Sequence, residues 1–159
     1  MIIDRMTGLE LLTSIVEGST PHPPMAATMG FALTAVEAGS ATFECETGQH
    51  LLNPFGTVHG GVALCLIDSA AGCAVHSLLP AGVGYASIET KVNYVRPLTV
   101  DSGIVRAVGV VLSKGKKIAT AEAKLYTADG ELAAHGSSTL LIMPNVKWQI
   151  AGSGEPHPR

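Results

Sequence analysis

Apolar residues recur at helical spacing between Thr7 and Glu17, where Leu9, Leu12, Ile15 and Val16 share one face and Gly18 closes the segment. The Pro-rich stretch STPHPPMAATMG reads as a connector. Two runs of alternating polarity follow, Phe31–Glu37 and Ser40–Glu46, and the short Ala38-Gly39 turn between them predicts a hairpin. TGQHLLNPFGTV is irregular, with Pro54 and Gly56 as breakers. From His59 to Leu79 the chain is small and apolar almost throughout. That run is too long for one strand and poor in β-branched residues, so it predicts a helix apolar on all sides and therefore buried. Three or four strands then complete the pattern: Tyr85–Arg96, Gly103–Leu112, Ile118–Tyr126 and Glu131–Met143, the last reached through the Ala128-Asp129-Gly130 turn. In the strand from Tyr85, alternation makes Ile88, Val92 and Tyr94 the buried set and turns Ser87 outward with Glu89, Lys91 and Asn93, unless a bulge intervenes. The order of elements fits an α+β fold, an antiparallel sheet wrapped around one long central helix. It divides the chain into residues 1–29 (helix and connector), 30–143 (the main domain) and 144–159 (a polar tail expected to be mobile).

Composition narrows the partners. The chain of 159 residues is 47% apolar and only 14% charged, so a partner subunit is expected to cover part of its surface. The net charge of −3 gives nucleic acid no electrostatic footprint. Cys45, Cys65 and Cys73 are an odd number in apolar surroundings with no CxxC spacing, which reads as buried, reduced thiols. The charged N-terminal residues Asp4, Arg5 and Glu10 do not suit a signal peptide, and Asp68 and His76 argue against a membrane span from Gly60 to Leu79. A cytoplasmic location follows as an expectation.

Asp68 is the one acid in the long apolar run, with no Lys or Arg within a helical turn or two. A carboxylate in such a place is a functional candidate, since a desolvated carboxylate is a better base. Its bland alternative is a polar partner elsewhere in the core, or a wet interface. Gly60 and Gly61 at the helix start are costly for the helix. They either let a ligand reach the free N–H groups there or let another segment pack closely. Gly61 and Asp68 are seven residues apart, about 10 Å along a helix, so one carbonyl group cannot touch the helix start and the acid together. Two antiparallel copies of the helix across a dimer axis would bring them together.

The stretch from Asn53 through Thr57 and His59-Gly60-Gly61 to Asp68, with SIETKVNYVRPL (Ser87–Leu98) and the segment Val110–Ile142, resembles the hotdog-fold acyl-CoA thioesterases. More narrowly, it resembles their phenylacetate-degradation and 4-hydroxybenzoyl-CoA thioesterase branch. The resemblance implies a homodimer, often assembled to a homotetramer, that hydrolyses acyl-CoA and uses no cofactor or metal of its own. It matches Asp68 to the catalytic carboxylate, as general base or nucleophile, and the Gly60 N–H to the oxyanion donor. Asn53 and His59 match positioning groups, and Ser87 a hydroxyl that holds water. Substrate-contact candidates are Gly61, Phe55, Gly84 and Tyr85, with Arg96, Lys114 and Lys116 as partners for the CoA phosphates; Lys114 and Lys116 otherwise read as a solvated hairpin turn. Two rival functions are an enoyl-CoA hydratase or dehydratase using His59 with Asp68, and a non-catalytic acyl-CoA-binding protein.

Overall fold

The computed structural model describes residues 5–146. Helices α1 (Gly8–Val16), α2 (Pro24–Met29) and α3 (Gly60–His76) accompany six strands. These are β1 (Phe31–Glu37), β2 (Ser40–Glu46), β3 (Val83–Tyr94), β4 (Ile104–Lys114), β5 (Ile118–Tyr126) and β6 (Leu132–Pro144). They form one antiparallel sheet in the order β1-β2-β4-β5-β6-β3, with β1 and β3 at its edges. α3 lies across the inner face. The predicted α+β arrangement of one long helix held by an antiparallel sheet is therefore what the chain adopts.

Small residues on both sides let α3 approach the sheet. The helix buries Ala63, Leu66, Ile67, Ala70, Ala71, Ala74 and Val75, and the sheet meets it with Ala107, Ala121, Ala123 and Ala134. At Gly109 on β4 the approach is closest: a Cβ there would stand 2.2 Å from the Ala70 carbonyl oxygen. Only glycine fits between the two backbones.

The ends of the elements differ from expectation for local reasons. α3 stops at His76, where Ser77 caps it: its hydroxyl donates to the Ala74 carbonyl and accepts from the Gly39 N–H. The connector contains α2, because Pro24 opens a helix well and Gly30, at φ 76°, closes it. β3 begins at Val83, so Gly82-Val83-Gly84 leads into a strand. Pro144 ends β6; the rest of the expected tail, including Trp148, lies outside the described residues from 147 on. No helix among the described residues is long and apolar enough to cross a membrane.

Two expectations for β3 are overturned. Ile88 is 57% exposed and Tyr94 60% exposed. The cause at Ile88 is a bulge: Ser87 pairs with Leu140 and Glu89 with Thr139, leaving Ile88 as the extra residue. The slip changes parity along the strand. Ser87 therefore shares a face with the buried Leu140, and Thr90 one with the buried Ser138. Tyr94 also faces inward, but beyond the cover of the core.

α1 belongs to the same packed unit. A capping box holds its start: the Thr7 N–H donates to Glu10 Oε2 at 2.8 Å, and the Glu10 N–H to Thr7 Oγ1 at 3.3 Å. The Thr7 N–H, with the Thr7 hydroxyl donating to the same Oε2 at 2.9 Å, holds the Glu10 carboxyl below its usual range, the backbone bond most. The Gly8 N–H donates to the Leu79 carbonyl, and a Cβ at Gly8 would collide with the His76 carbonyl. The helix thus docks through a bare glycine onto the C-terminal end of α3.

Gly109→Ala should lower stability by about 1–3 kcal/mol, the usual cost of overpacking, as read from urea denaturation. His76, 2% exposed, gives a pH dependence: burial pushes its imidazole down from 6.5 to about 4. Above pH 6.5 both folded and unfolded chains hold it neutral, and its contribution is whole. Between about pH 6.5 and 4 only the unfolded chain takes up the proton, so roughly 3 kcal/mol is lost across that window. A His76→Gln chain should lack this part of the acid decline in its stability curve.

Candidate active site

The start of α3 is built by a short, tightly bonded loop. Asn53 organises it: its Oδ1 accepts from the Phe55 N–H at 2.9 Å and its Nδ2 donates to Thr57 Oγ1 at 2.8 Å. These bonds give Asn53 a loop-shaping task in this chain. Phe55 stands at the loop tip, 92% exposed. The His59 N–H then donates to the Leu51 carbonyl at 2.8 Å. The His59 side chain caps the helix, with Nδ1 accepting from the Gly61 N–H at 2.9 Å, which leaves the proton of a neutral ring on Nε2. The Val62 N–H donates to the His59 carbonyl. Among the described residues the Gly60 N–H has no hydrogen-bond partner, so the two glycines divide the work: Gly61 is spent on the cap and Gly60 is available. The Gly60 carbonyl accepts from the Tyr94 hydroxyl at 2.9 Å. Beside it lies a cleft of about 340 Å³ walled by Val58, Ala63, Tyr94, Leu98 and Ala134, with His59 at its polar end. An unpaired N–H at a helix start, facing an apolar cleft, is suited to hold developing negative charge on an oxygen.

Asp68 lies two turns further along α3. The expectation of a helix buried on every side fails here. Leu64 is exposed, and Gly61, Cys65, Asp68 and Ser69 are half-buried, because this stripe turns away from the chain's own sheet. Asp68 Oδ1 accepts from the Thr90 hydroxyl at 2.7 Å, and Thr90 Oγ1 lies 2.9 Å from Ser138 Oγ. Ser138 also donates to the Glu89 carbonyl at 3.1 Å. No cation pairs with Asp68 among the described residues; the one ion pair there is Arg96 with Glu131 at 2.6 Å.

The remaining candidates scatter. Arg96 reaches the cleft but is committed: besides Glu131, its Nε donates to the Leu132 carbonyl at 2.9 Å. Lys114 and Lys116 lie in the β4–β5 turn, where Lys114 pairs with Ala119 and Ile118 with Leu141, at the end of the sheet away from Gly60. Gly84 is a buried strand residue beside Val146. Tyr85 lays its ring over Gly72, where a Cβ would come within 2.5 Å of the hydroxyl, and its ring centroid is 5.7 Å from that of His76. Ser87 is exposed and its hydroxyl makes no hydrogen bond among the described residues; the hydroxyl on Asp68 belongs to Thr90. Sequence reasoning missed Thr90, Ser138 and Tyr94. The bulge concealed Thr90, and its three-residue spacing from Ser87 is a signal only once the parity change is known.

The thiols do not compete as nucleophiles. Burial pushes Cys73 up to about 12, and it raises Cys45 and Cys65 as well. The Tyr85 hydroxyl is also held well above its ordinary value, chiefly by burial. Among the described residues no group of three or more His, Cys, Asp or Glu is placed to hold a metal ion.

Comparison with known proteins shows the family. The thioesterase superfamily model matches residues 55–134, which include the cleft, Gly60 and Asp68. A candidate esterase of Halobacterium salinarum is 40% identical over 78 residues, 45% of this chain and 47% of that protein, so the match spans about half of that relative's length. The 1,4-dihydroxy-2-naphthoyl-CoA hydrolase of Listeria monocytogenes is 27% identical over 72% of this chain and 92% of its own. Among solved structures, a candidate thioesterase from Ralstonia eutropha, described as related to phenylacetic acid degradation, superposes with a TM-score of 0.73 at 25% identity, covering 82% of this chain and 98% of that one.

His59→Ala should cost about 1 kcal/mol, the usual worth of an N-cap, and should speed hydrogen exchange at the Gly61 amide. His59→Asn, which keeps an acceptor at that place, should restore most of both.

Proposed function

The chain belongs to the thioesterase superfamily, and from that membership we propose that it hydrolyses acyl-CoA thioesters to the free acid and CoA. One observation carries the reading. A single helix offers a free N–H on the wall of an apolar cleft and, eight residues later, a carboxylate with no cation beside it.

The chemistry needs both groups at one carbonyl. Asp68 takes a proton from water as the water oxygen attacks the thioester carbon. The Gly60 N–H stabilises the oxygen that becomes negative. As the C–S bond breaks, the proton held on Asp68 passes to the departing sulfur. Gly60 and Asp68 are about 12 Å apart along α3, too far for one carbonyl group to meet both within a chain. The reading therefore uses two copies, with Gly60 of one chain facing Asp68 of the other. The uncovered stripe of α3 and the free edge of β3 support such a pairing, as does the exposed apolar surface of Leu64 and Val95. CoA as the carrier draws support from the Listeria relative, whose own name specifies a CoA thioester.

Hydrolysis of an acyl-CoA panel, followed with a thiol reagent, tests this. Asp68→Asn should lower kcat at least about 100-fold with the fold intact, the scale of a lost general base. Gly60 permits a second test. His59, at φ −59° and ψ 134°, already has the extended conformation that precedes proline, and proline is tolerated at the first position of a helix. Gly60→Pro should remove the N–H and about 100-fold or more of the activity. Gly60→Ala keeps the N–H and, with the Tyr94 hydroxyl shifted aside, should retain most of it. Full activity in Asp68→Asn or in Gly60→Pro would overturn the mechanism. Hydration of enoyl-CoA without release of thiol would replace it with the hydratase reading, and binding without any turnover with that of a carrier.

A further inference from the structure

Building on the role proposed for Asp68, we infer that Thr90 and Ser138 are positioning residues that hold its carboxylate in both protonation states, leaving Oδ2 as the oxygen that receives the proton. The count of protons carries this. Asp68, Thr90 and Ser138 form a line with separations of 2.7 and 2.9 Å, and the line ends on the Glu89 carbonyl 3.1 Å from Ser138. Each hydroxyl has one proton to donate and can also accept. An ionised carboxylate only accepts, so Thr90 must donate to Asp68, and the Thr90 oxygen is left free to accept from Ser138. When Asp68 takes the proton on Oδ2, Oδ1 stays an acceptor and Thr90 goes on donating to it; were the proton on Oδ1, that oxygen would donate to Thr90, Thr90 to Ser138, and Ser138 to the Glu89 carbonyl. The line is hydrogen-bonded in both directions without moving a heavy atom.

A base that gains and returns a proton in each turnover needs such a mount. A hydroxyl can donate to Oδ1 and can also accept from it, whereas a backbone N–H can only donate, and a Lys would pair with the charge and weaken the base. Asp68 Oδ2 has no hydrogen-bond partner among the described residues, which leaves it for water. The bulge at Ile88 is what makes this possible. Strict alternation from Tyr85 and Ser87 would put Thr90 on the outer face of the sheet, and the extra residue brings it inward opposite Ser138. Ser138 is buried, so its place in the line is fixed by the core.

The test compares Thr90→Val, Thr90→Ser, Ser138→Ala and the Thr90→Val/Ser138→Ala double variant with the parent chain. Thr90→Val, nearly isosteric, should lower kcat about tenfold, the scale of one hydrogen bond to a charged group, with KM within about twofold. The acid limb of its pH–rate profile should move to higher pH, because the ionised form has lost a donor. Thr90→Ser should restore kcat to within about threefold. Ser138→Ala should have a smaller effect, and the double variant should be no slower than Thr90→Val alone, since Ser138 acts through Thr90. An unmoved kcat and pH profile in Thr90→Val, in a chain that Asp68→Asn inactivates, would overturn the inference and leave the proposed function standing. So would equal losses in Thr90→Val and Thr90→Ser. If the parent chain shows no hydrolysis, the function fails separately. The ¹³C resonance of the Asp68 carboxyl then reads the mount directly: it should move in Thr90→Val and return in Thr90→Ser, and an unmoved resonance would overturn the inference.

Discussion

The fold depends on how closely a helix can lie on a sheet. α3 reaches the β4 backbone at Gly109 because neither side brings bulk to the contact: alanines face alanines, and at the nearest point there is no side chain at all. Dense packing of short side chains leaves the helix few ways to shift or roll. Everything chemical follows from that fixed rod. Its start presents Gly60 to the cleft, its middle carries Asp68 to the hydroxyl of Thr90, and its end receives α1 on Gly8. The scarcity of aromatic residues, at 4%, is part of the same design, since large rings would hold the layers apart.

Within that frame the polar groups are managed with little charge. Asp68 is held by a neutral hydroxyl, the helix start is capped by a neutral imidazole, and the Gly60 carbonyl is met by a phenol. Among the described residues, ion pairing is confined to Arg96 and Glu131 at the rim. Neutral partners position a reactive group without cancelling the property that makes it useful. A cation beside Asp68 would make it a weaker base, and a side chain accepting from the Gly60 N–H would compete with the substrate oxygen.

Much of this was legible in the residues. The hairpin Phe31–Glu37 with Ser40–Glu46 and the strand Ile118–Tyr126 fall where alternation and turn residues place them, because both are short, half-buried and bounded by clear breakers. Asp68 was conspicuous as the lone acid of an apolar run, and the glycine pair as an expense needing a reason. What was not legible depended on contacts distant in sequence. No local pattern shows that one side of α3 is left bare, since an all-apolar helix looks alike on every face. Nor does any reveal that Arg96 is already taken by Glu131, or that the hydroxyl meeting Asp68 comes from Thr90. Ser87 was the natural candidate by resemblance. It does face inward, yet its hydroxyl stands clear of any hydrogen bond among the described residues.

The extra residue in β3 works like a shift of reading frame. Upstream of Ile88 the inward positions are odd-numbered, at Tyr85 and Ser87; downstream they are even-numbered, at Thr90, Val92 and Tyr94. The two halves of the strand face different stretches of α3 and answer to different rules of substitution. A ladder that took Ile88 in as an ordinary paired residue would turn one half inside out, so the unpaired position between Ser87 and Thr90 matters as much as the residues themselves.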